Sequence, residues 1–220
     1  VEAVLSGIES ILYRGYDSIG VALDDDEVID VVKKAYSEIE DIRTELTENS
    51  SKIYKRGIGH NRWATVGDVS DANAHPHCDY WEDFFVVHNG NVENYFDLKK
   101  SLEQDYKLDE KIKFRSKTDT ELIANLIALE YDDNMENAIT RVMARIQGGN
   151  AFVVMSRKHP DEIFGAKVGS PLLVCQNGNG VMLASDANAF RSQDNHELPH
   201  YGVLDDGEIV IIRNDSYSIK

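Results

Sequence analysis

The residues that could do chemistry sit in four short stretches. The first is Gly57-Ile58-Gly59-His60-Asn61-Arg62-Trp63-Ala64-Thr65-Val66-Gly67, which opens as a strand and ends in a turn with an Arg, a Trp and a Thr at its mouth. A guanidinium there is a fixed fork: five donors in one plane match the two oxygens of a carboxylate or phosphate. The second is Asn73-Ala74-His75-Pro76-His77-Cys78, the third Val87-His88-Asn89-Gly90, and the fourth Thr118-Asp119-Thr120-Glu121. Asn89-Gly90 reads in two ways. Asn-Gly is the favoured two-residue hairpin turn, and a side-chain amide beside a Gly N–H is also what an oxyanion hole requires. The segment after it, Asn91 to Leu98, turns helical, which weakens the hairpin reading. Asp119 serves the dipole of a helix start or accepts a substrate ammonium. With Arg62 at one end, the stretches suggest a pocket for an amino acid.

Other chemistries find less support. His75-Pro76-His77 and Cys78 lack further ligands at metal-binding spacing, so no metal or organic cofactor is expected. Cys175 lies next to the apolar run Leu172-Leu173-Val174 and reads as an inert thiol. No P-loop or G-x-S-x-G occurs.

The elements that must position these residues alternate between strands and helices. Residues 1–12 follow helical spacing from the first residue without a capping side chain, which suggests a chain cut at this end. Gly20–Leu23 and Val28–Lys34 read as a hairpin, Ser37–Thr47 as a surface helix, and Ile58–Ala64 as the next strand. Val66 to Glu82 is a long loop of the kind that is more often a lid than an idle link. Phe84-Phe85-Val86-Val87 reads as a strand buried on both faces. Asn94–Glu103 is a helix and Lys107–Lys113 a charged link. Thr118 and Glu121 have capping-box spacing before the stripe Leu122, Ile123, Leu126, Ile127. Another helix covers Met135–Ile146, and strands follow at 151–156, 163–168, 171–176, 181–185, 202–204 and 208–213. Strands, then helices, then strands give an α+β class with two sheets packed between helices.

Composition excludes some partners. At 220 residues the chain suits one domain. A formal net charge of −16 argues against nucleic acid, because a phosphate backbone needs a basic face. No apolar run is long enough to span a membrane, and two distant cysteines suit a reducing, cytoplasmic setting.

Taken together and in order, Tyr13-Arg14-Gly15-Tyr16-Asp17-Ser18, Arg62-Trp63-Ala64-Thr65, Asn73-Ala74-His75-Pro76-His77, Val86-Val87-His88-Asn89-Gly90 with Glu93-Asn94, and Thr118-Asp119-Thr120-Glu121 resemble the glutaminase domain of the glucosamine-6-phosphate synthase family. Gly169-Ser170-Pro171-Leu172 and Ala184-Ser185-Asp186 extend the resemblance over nearly the whole chain. It implies a class II, N-terminal-nucleophile glutamine amidotransferase, with a four-layer αββα sandwich of two antiparallel sheets between helices. It further implies hydrolysis of L-glutamine to glutamate and ammonia by an N-terminal Cys, and delivery of the ammonia to a sugar-isomerase domain or subunit that aminates fructose 6-phosphate. A homo-oligomer would form through that isomerase part. Carried onto this chain, Asn89 and Gly90 would form the oxyanion hole, and Arg62, helped by Thr65, would clamp the α-carboxylate. Asp119 would hold the α-ammonium, Trp63 would stand at the rim, and Arg14 and Gly15 would line the nucleophile's end.

Two departures stand out. The family's opening Cys-Gly strand, about a dozen residues, has no counterpart before Val1, so residues 1–220 are expected to be one glutaminase domain without its nucleophile. Val66 stands where the family usually has His. The alternatives are a non-catalytic glutamine-binding or regulatory module and a standalone glutaminase supplying another acceptor. Phosphoribosylpyrophosphate amidotransferase is the weaker match within class II.

Overall fold

A computed structural model describes residues 1–48, 52–104, 112–178, 180–191 and 198–220. In chain order the elements are α1 (Glu2–Ser10), β1 (Ser18–Asp24), β2 (Ile29–Ala35), α2 (Ile39–Glu48), β3 (Arg56–Arg62), β4 (His77–Cys78), β5 (Phe84–Gly90), α3 (Tyr95–Gln104), α4 (Asp119–Glu130) and α5 (Met135–Arg145). Then come β6 (Asn150–Ser156), β7 (His159–Val168), β8 (Leu173–Asn177), β9 (Gly180–Ala184), β10 (Tyr201–Val203), β11 (Ile209–Arg213) and β12 (Ser216–Ile219). Most of the charged link expected at 107–113 and the polar link at 49–51 lie outside the described residues.

The pattern of side chains builds four layers. The central sheet has six antiparallel strands in the order β12-β11-β7-β6-β5-β4. In β5 the apolar run alternates: Phe84 and Val86 join the core under α3, α4 and α5, whereas Phe85 and Val87 face the other strand layer. That explains a continuous hydrophobic stretch in an antiparallel strand, since both faces of the sheet are covered. On the far side, α1 and α2 close over β1 and β2 through Leu5, Ile8, Val21, Ile42 and Leu46.

The expected αββα sandwich is present, with one correction. The second strand layer is two separate three-stranded sheets, β2-β1-β3 and β10-β8-β9. Both pack on the same face of the central sheet, the first through Ala22 and Ile58, the second through Leu172 and Val174. Sequence periodicity marks strands but carries no information on which of them pair. Polar, exposed Ser216–Ile219 forms β12, a strand the apolar pattern gave no reason to expect.

Arg56 fastens the first sheet to the central one. Its Nε and Nη2 reach Asp24 Oδ2, and its Nη groups donate to the carbonyls of Ser156, His159 and Glu162. The capping box at Thr118 is not formed: Thr118 is the N-cap but makes no side-chain cap bond. The Glu121 carboxylate instead accepts from Arg115 N, Ser116 N and Ser116 Oγ, bracing the turn before the helix. The long loop is structured too. A 3₁₀ turn spans Asp71–Asn73, β4 pairs with β5, and Asn73 Oδ1 accepts from Lys117 N, tying this loop to the segment entering α4.

Candidate active site

A cavity of about 960 Å³ runs along β3 and β9, each an edge strand of its own three-stranded sheet. Val4 and Ile8 of α1 line it from the outer layer, and Ala151 and Val153 of β6 from the central sheet. Arg14, Arg62, Trp63, Thr65, Asn89, Gly90 and Asp119 all line it. Residues spread over more than a hundred positions therefore meet in one space.

The strand β3 ends at Arg62, and the guanidinium turns inward and is nearly fully buried. Nη1 donates to Asp68 O at 3.4 Å, and Nη2 donates to Val66 O. Among the described residues no carboxylate lies within ion-pair distance of it. Burial pushes its pKa down, while Asp119, Asp17 and Asp68 at longer range oppose that. A buried cation without a paired anion is costly, and an incoming carboxylate would supply that anion. Val66 takes part through its main-chain carbonyl, a group that any residue at that position provides. Thr65 lines the cavity, but no hydrogen bond joins it to Arg62 among the described residues.

Asp119 opens α4 with its carboxylate buried. Oδ2 accepts from Val92 N at 2.9 Å, and Oδ1 stands 3.8 Å from His88 Nδ1. His88 is kept from protonation mainly by burial, so Oδ1 retains room for a cationic donor.

Asn89 and Gly90 are not a hairpin turn. They continue β5 and pair with Ala151 and Asn150 of β6. Gly90 has φ 136°, and a Cβ there would stand 2.1 Å from Gly149 O, so the position admits glycine alone. The Asn89 Oδ1 accepts from His60 Nε2 at 2.9 Å.

Trp63 is 59 % exposed and tilts against Tyr16 at 5.7 Å between ring centroids, which places it at the rim. Arg14 donates to Ser185 O and pairs with Asp186, joining the chain after α1 to the end of β9. Gly15 is not a lining residue. A Cβ on it would come within 2.7 Å of Arg62 C and 2.8 Å of Trp63 N, so its role is to let the chain pass close under the end of β3.

Neither cysteine lines the cavity. The Cys78 thiol is 3.6 Å from Arg115 Nη1, and burial pushes its pKa up. Cys175 belongs to a cluster on the other face of its sheet with Phe190, and burial raises its pKa as well. His75 and His77 pack in a buried ring cluster with His60, with centroids 4.3 and 5.0 Å apart. Sequence reasoning passed over His60, Thr120 and Asn150 as site residues. Only the alternation along β3, which sends His60 and Arg62 to one side, hinted at the first.

The profile of the glutamine amidotransferase domain family matches residues 12–203. The chain belongs to the glutamine amidotransferase family. Similar curated proteins are glutamine–fructose-6-phosphate aminotransferases (isomerizing). That of Aquifex aeolicus is 42% identical over 98% of this chain and 35% of its own length. That of Thermococcus kodakarensis is 37% identical over 100% of this chain and 35% of its own length. The amidotransferase chain thus spans about a third of the length of these relatives. Among solved structures, a glutamine phosphoribosylpyrophosphate amidotransferase from B. subtilis is 25% identical, with a TM-score of 0.77 over 100% of this chain and 46% of that one. The likeness extends over the whole amidotransferase chain and agrees with an N-terminal-nucleophile type of sandwich.

Proposed function

We propose that this domain hydrolyses L-glutamine to glutamate and ammonia for transfer to fructose 6-phosphate by an isomerase domain or subunit. The observation that carries the reading is the buried Arg62 guanidinium, unpaired with any described carboxylate, in the same cavity as the half-satisfied Asp119 carboxylate. One suits an α-carboxylate and the other an α-ammonium, which selects an amino acid over a simple amide. Asn89 and Gly90 then face the side-chain amide. The curated relatives' name supplies the sugar acceptor.

In this reading the nucleophile comes from a strand that enters the cavity beside β3 and β9. A Cys thiolate there attacks the amide carbon, the C–N bond breaks, and protonated nitrogen leaves as ammonia. Water then cleaves the thioester to glutamate and restores the thiol. An α-amino base is matched to this task, since its pKa of about 8 lies close to that of a thiol. A second reading, a glutamine-binding module without catalysis, is favoured by one observation: Cys78 and Cys175 both lie away from the cavity. The decisive experiment combines N-terminal sequencing of the protein from its source with a glutaminase assay. A mature N-terminal Cys and ammonia release from glutamine support the enzyme. A natural start at Val1 with glutamine binding but no hydrolysis leaves the binding module.

A further inference from the structure

We propose that His60 is the positioning residue of the oxyanion site, donating from Nε2–H to Asn89 Oδ1 and so turning the Asn89 amide N–H toward the substrate oxygen. This rests on the glutaminase reading. An Asn side chain offers a donor and an acceptor at nearly equal reach, and the two ends are interchanged by a half-turn about one bond. Oxyanion stabilisation needs the donor end, and the acceptor end would repel the developing charge. The backbone of β5 does not decide between them. The partner of Oδ1 does, and that partner is His60 at 2.9 Å.

The tautomer of His60 therefore matters. Among the described residues its Nδ1 makes no hydrogen bond, whereas Nε2 faces the acceptor Asn89 Oδ1 at 2.9 Å, so the ring's single proton belongs on Nε2. Burial, with His88 and Arg62 nearby, keeps the ring neutral and its pKa at about 4. A proton on Nδ1 instead would put an Nε2 lone pair against Asn89, and the amide would turn its oxygen to the cavity.

The ring is held in place by a directed chain. His60 stacks on His75 at 4.3 Å and 30°. His75 Nε2 meets Thr120 Oγ1 at 3.1 Å, Thr120 Oγ1 meets His88 Nδ1 at 3.2 Å, and His88 Nε2 meets Asn150 Oδ1 at 2.9 Å. Asn150 donates both amide protons to Gln147 O and Gly148 O, so its Oδ1 accepts. His88 then donates from Nε2 and accepts at Nδ1 from the Thr120 hydroxyl, which in turn accepts from His75. The polarity of the chain is fixed from its far end.

The test is steady-state glutaminase kinetics of the whole protein carrying His60→Leu, His60→Gln, Asn89→Ala, or His60→Leu with Asn89→Ala. His60→Leu removes the donor, and kcat should fall by about tenfold or more with KM nearly unchanged. His60→Gln keeps a donor and should recover most of that loss. The double variant should be no slower than Asn89→Ala, because the two residues act as one unit. Full turnover in His60→Leu, or additive losses in the double variant, overturns the role of His60. Unchanged turnover in Asn89→Ala overturns the oxyanion reading as well, and no glutamine hydrolysis in the unmutated protein overturns the functional reading itself. A readout independent of folding of the variants is the ring tautomer of His60 in the unmutated protein by ¹⁵N NMR: Nε2–H is expected, and Nδ1–H would overturn the proposal.

Discussion

At the scale of single residues, Arg62 does two things at once. It holds the carbonyls of Val66 and Asp68 and keeps a buried positive charge beside the cavity. Arg62→Ala should weaken glutamine binding by about 1.5–3 kcal/mol, seen as a higher KM, and should lower thermal stability modestly because the loop carbonyls lose their donors. An unchanged KM would remove Arg62 from the substrate site. For Asn89→Ala the loss should fall on kcat, on the order of 10²–10³, with KM nearly kept. The histidines add a dependence on acid. His60 has a folded pKa of about 4 against an ordinary 6.5, and His75, His77 and His88 are depressed in the same direction, chiefly by burial. Between those values the unfolded chain takes up protons that the native rings refuse. Stability is therefore full above about pH 6.5 and falls as pH drops toward 4. Denaturant melts across that range would show it, and a flat profile would contradict the burial of these rings.

At the scale of elements, Arg56 on β3 makes the link whose loss should cost most. Its pair with Asp24 is almost enclosed, with side chains 10% and 6% exposed. It also occupies three carbonyls of the β6–β7 region. Arg56→Ala leaves the Asp24 carboxylate buried without its cation, holding only the Asp26 N–H on Oδ1, and should destabilise the fold by about 3–5 kcal/mol, read from chemical denaturation. A loss below about 1 kcal/mol would mean that water replaces the guanidinium freely.

At the scale of the whole molecule, the split of the second strand layer leaves two sheet edges, β3 and β9, along one cavity with apolar walls above and below. Such edges accept an added strand through main-chain hydrogen bonds. An extended peptide of about ten residues that begins with Cys and is apolar on both faces should raise the melting temperature of the chain Val1–Lys220 and confer glutamine hydrolysis. The same peptide beginning with Ser should stabilise without comparable turnover. No stabilisation by either peptide would argue that the cavity does not receive a strand.

Most elements were legible because their signals are local. Two stretches flanking an acidic turn marked β1 and β2, a continuous apolar run marked β5, helical spacing marked α1, and the glycine pair 148–149 marked the end of α5. Site residues were legible as types and motifs: an Arg at a strand end, an Asn-Gly after an apolar run, an Asp opening a helix. By itself, then, the sequence determined the class, the order of the elements other than β4 and β12, and the family. Tertiary structure decided the rest, because the remaining questions concern partners far apart in the chain. Pairing between strands divided one expected sheet into two. Glu121 braced the upstream turn instead of closing a capping box, since Ser116 and Arg115 offered buried donors. Gly15 went under the end of β3 and out of the cavity wall. His60 met Asn89 across 29 positions, a contact that no spacing rule reaches, because a hydrogen bond is set by distance in space and not along the chain.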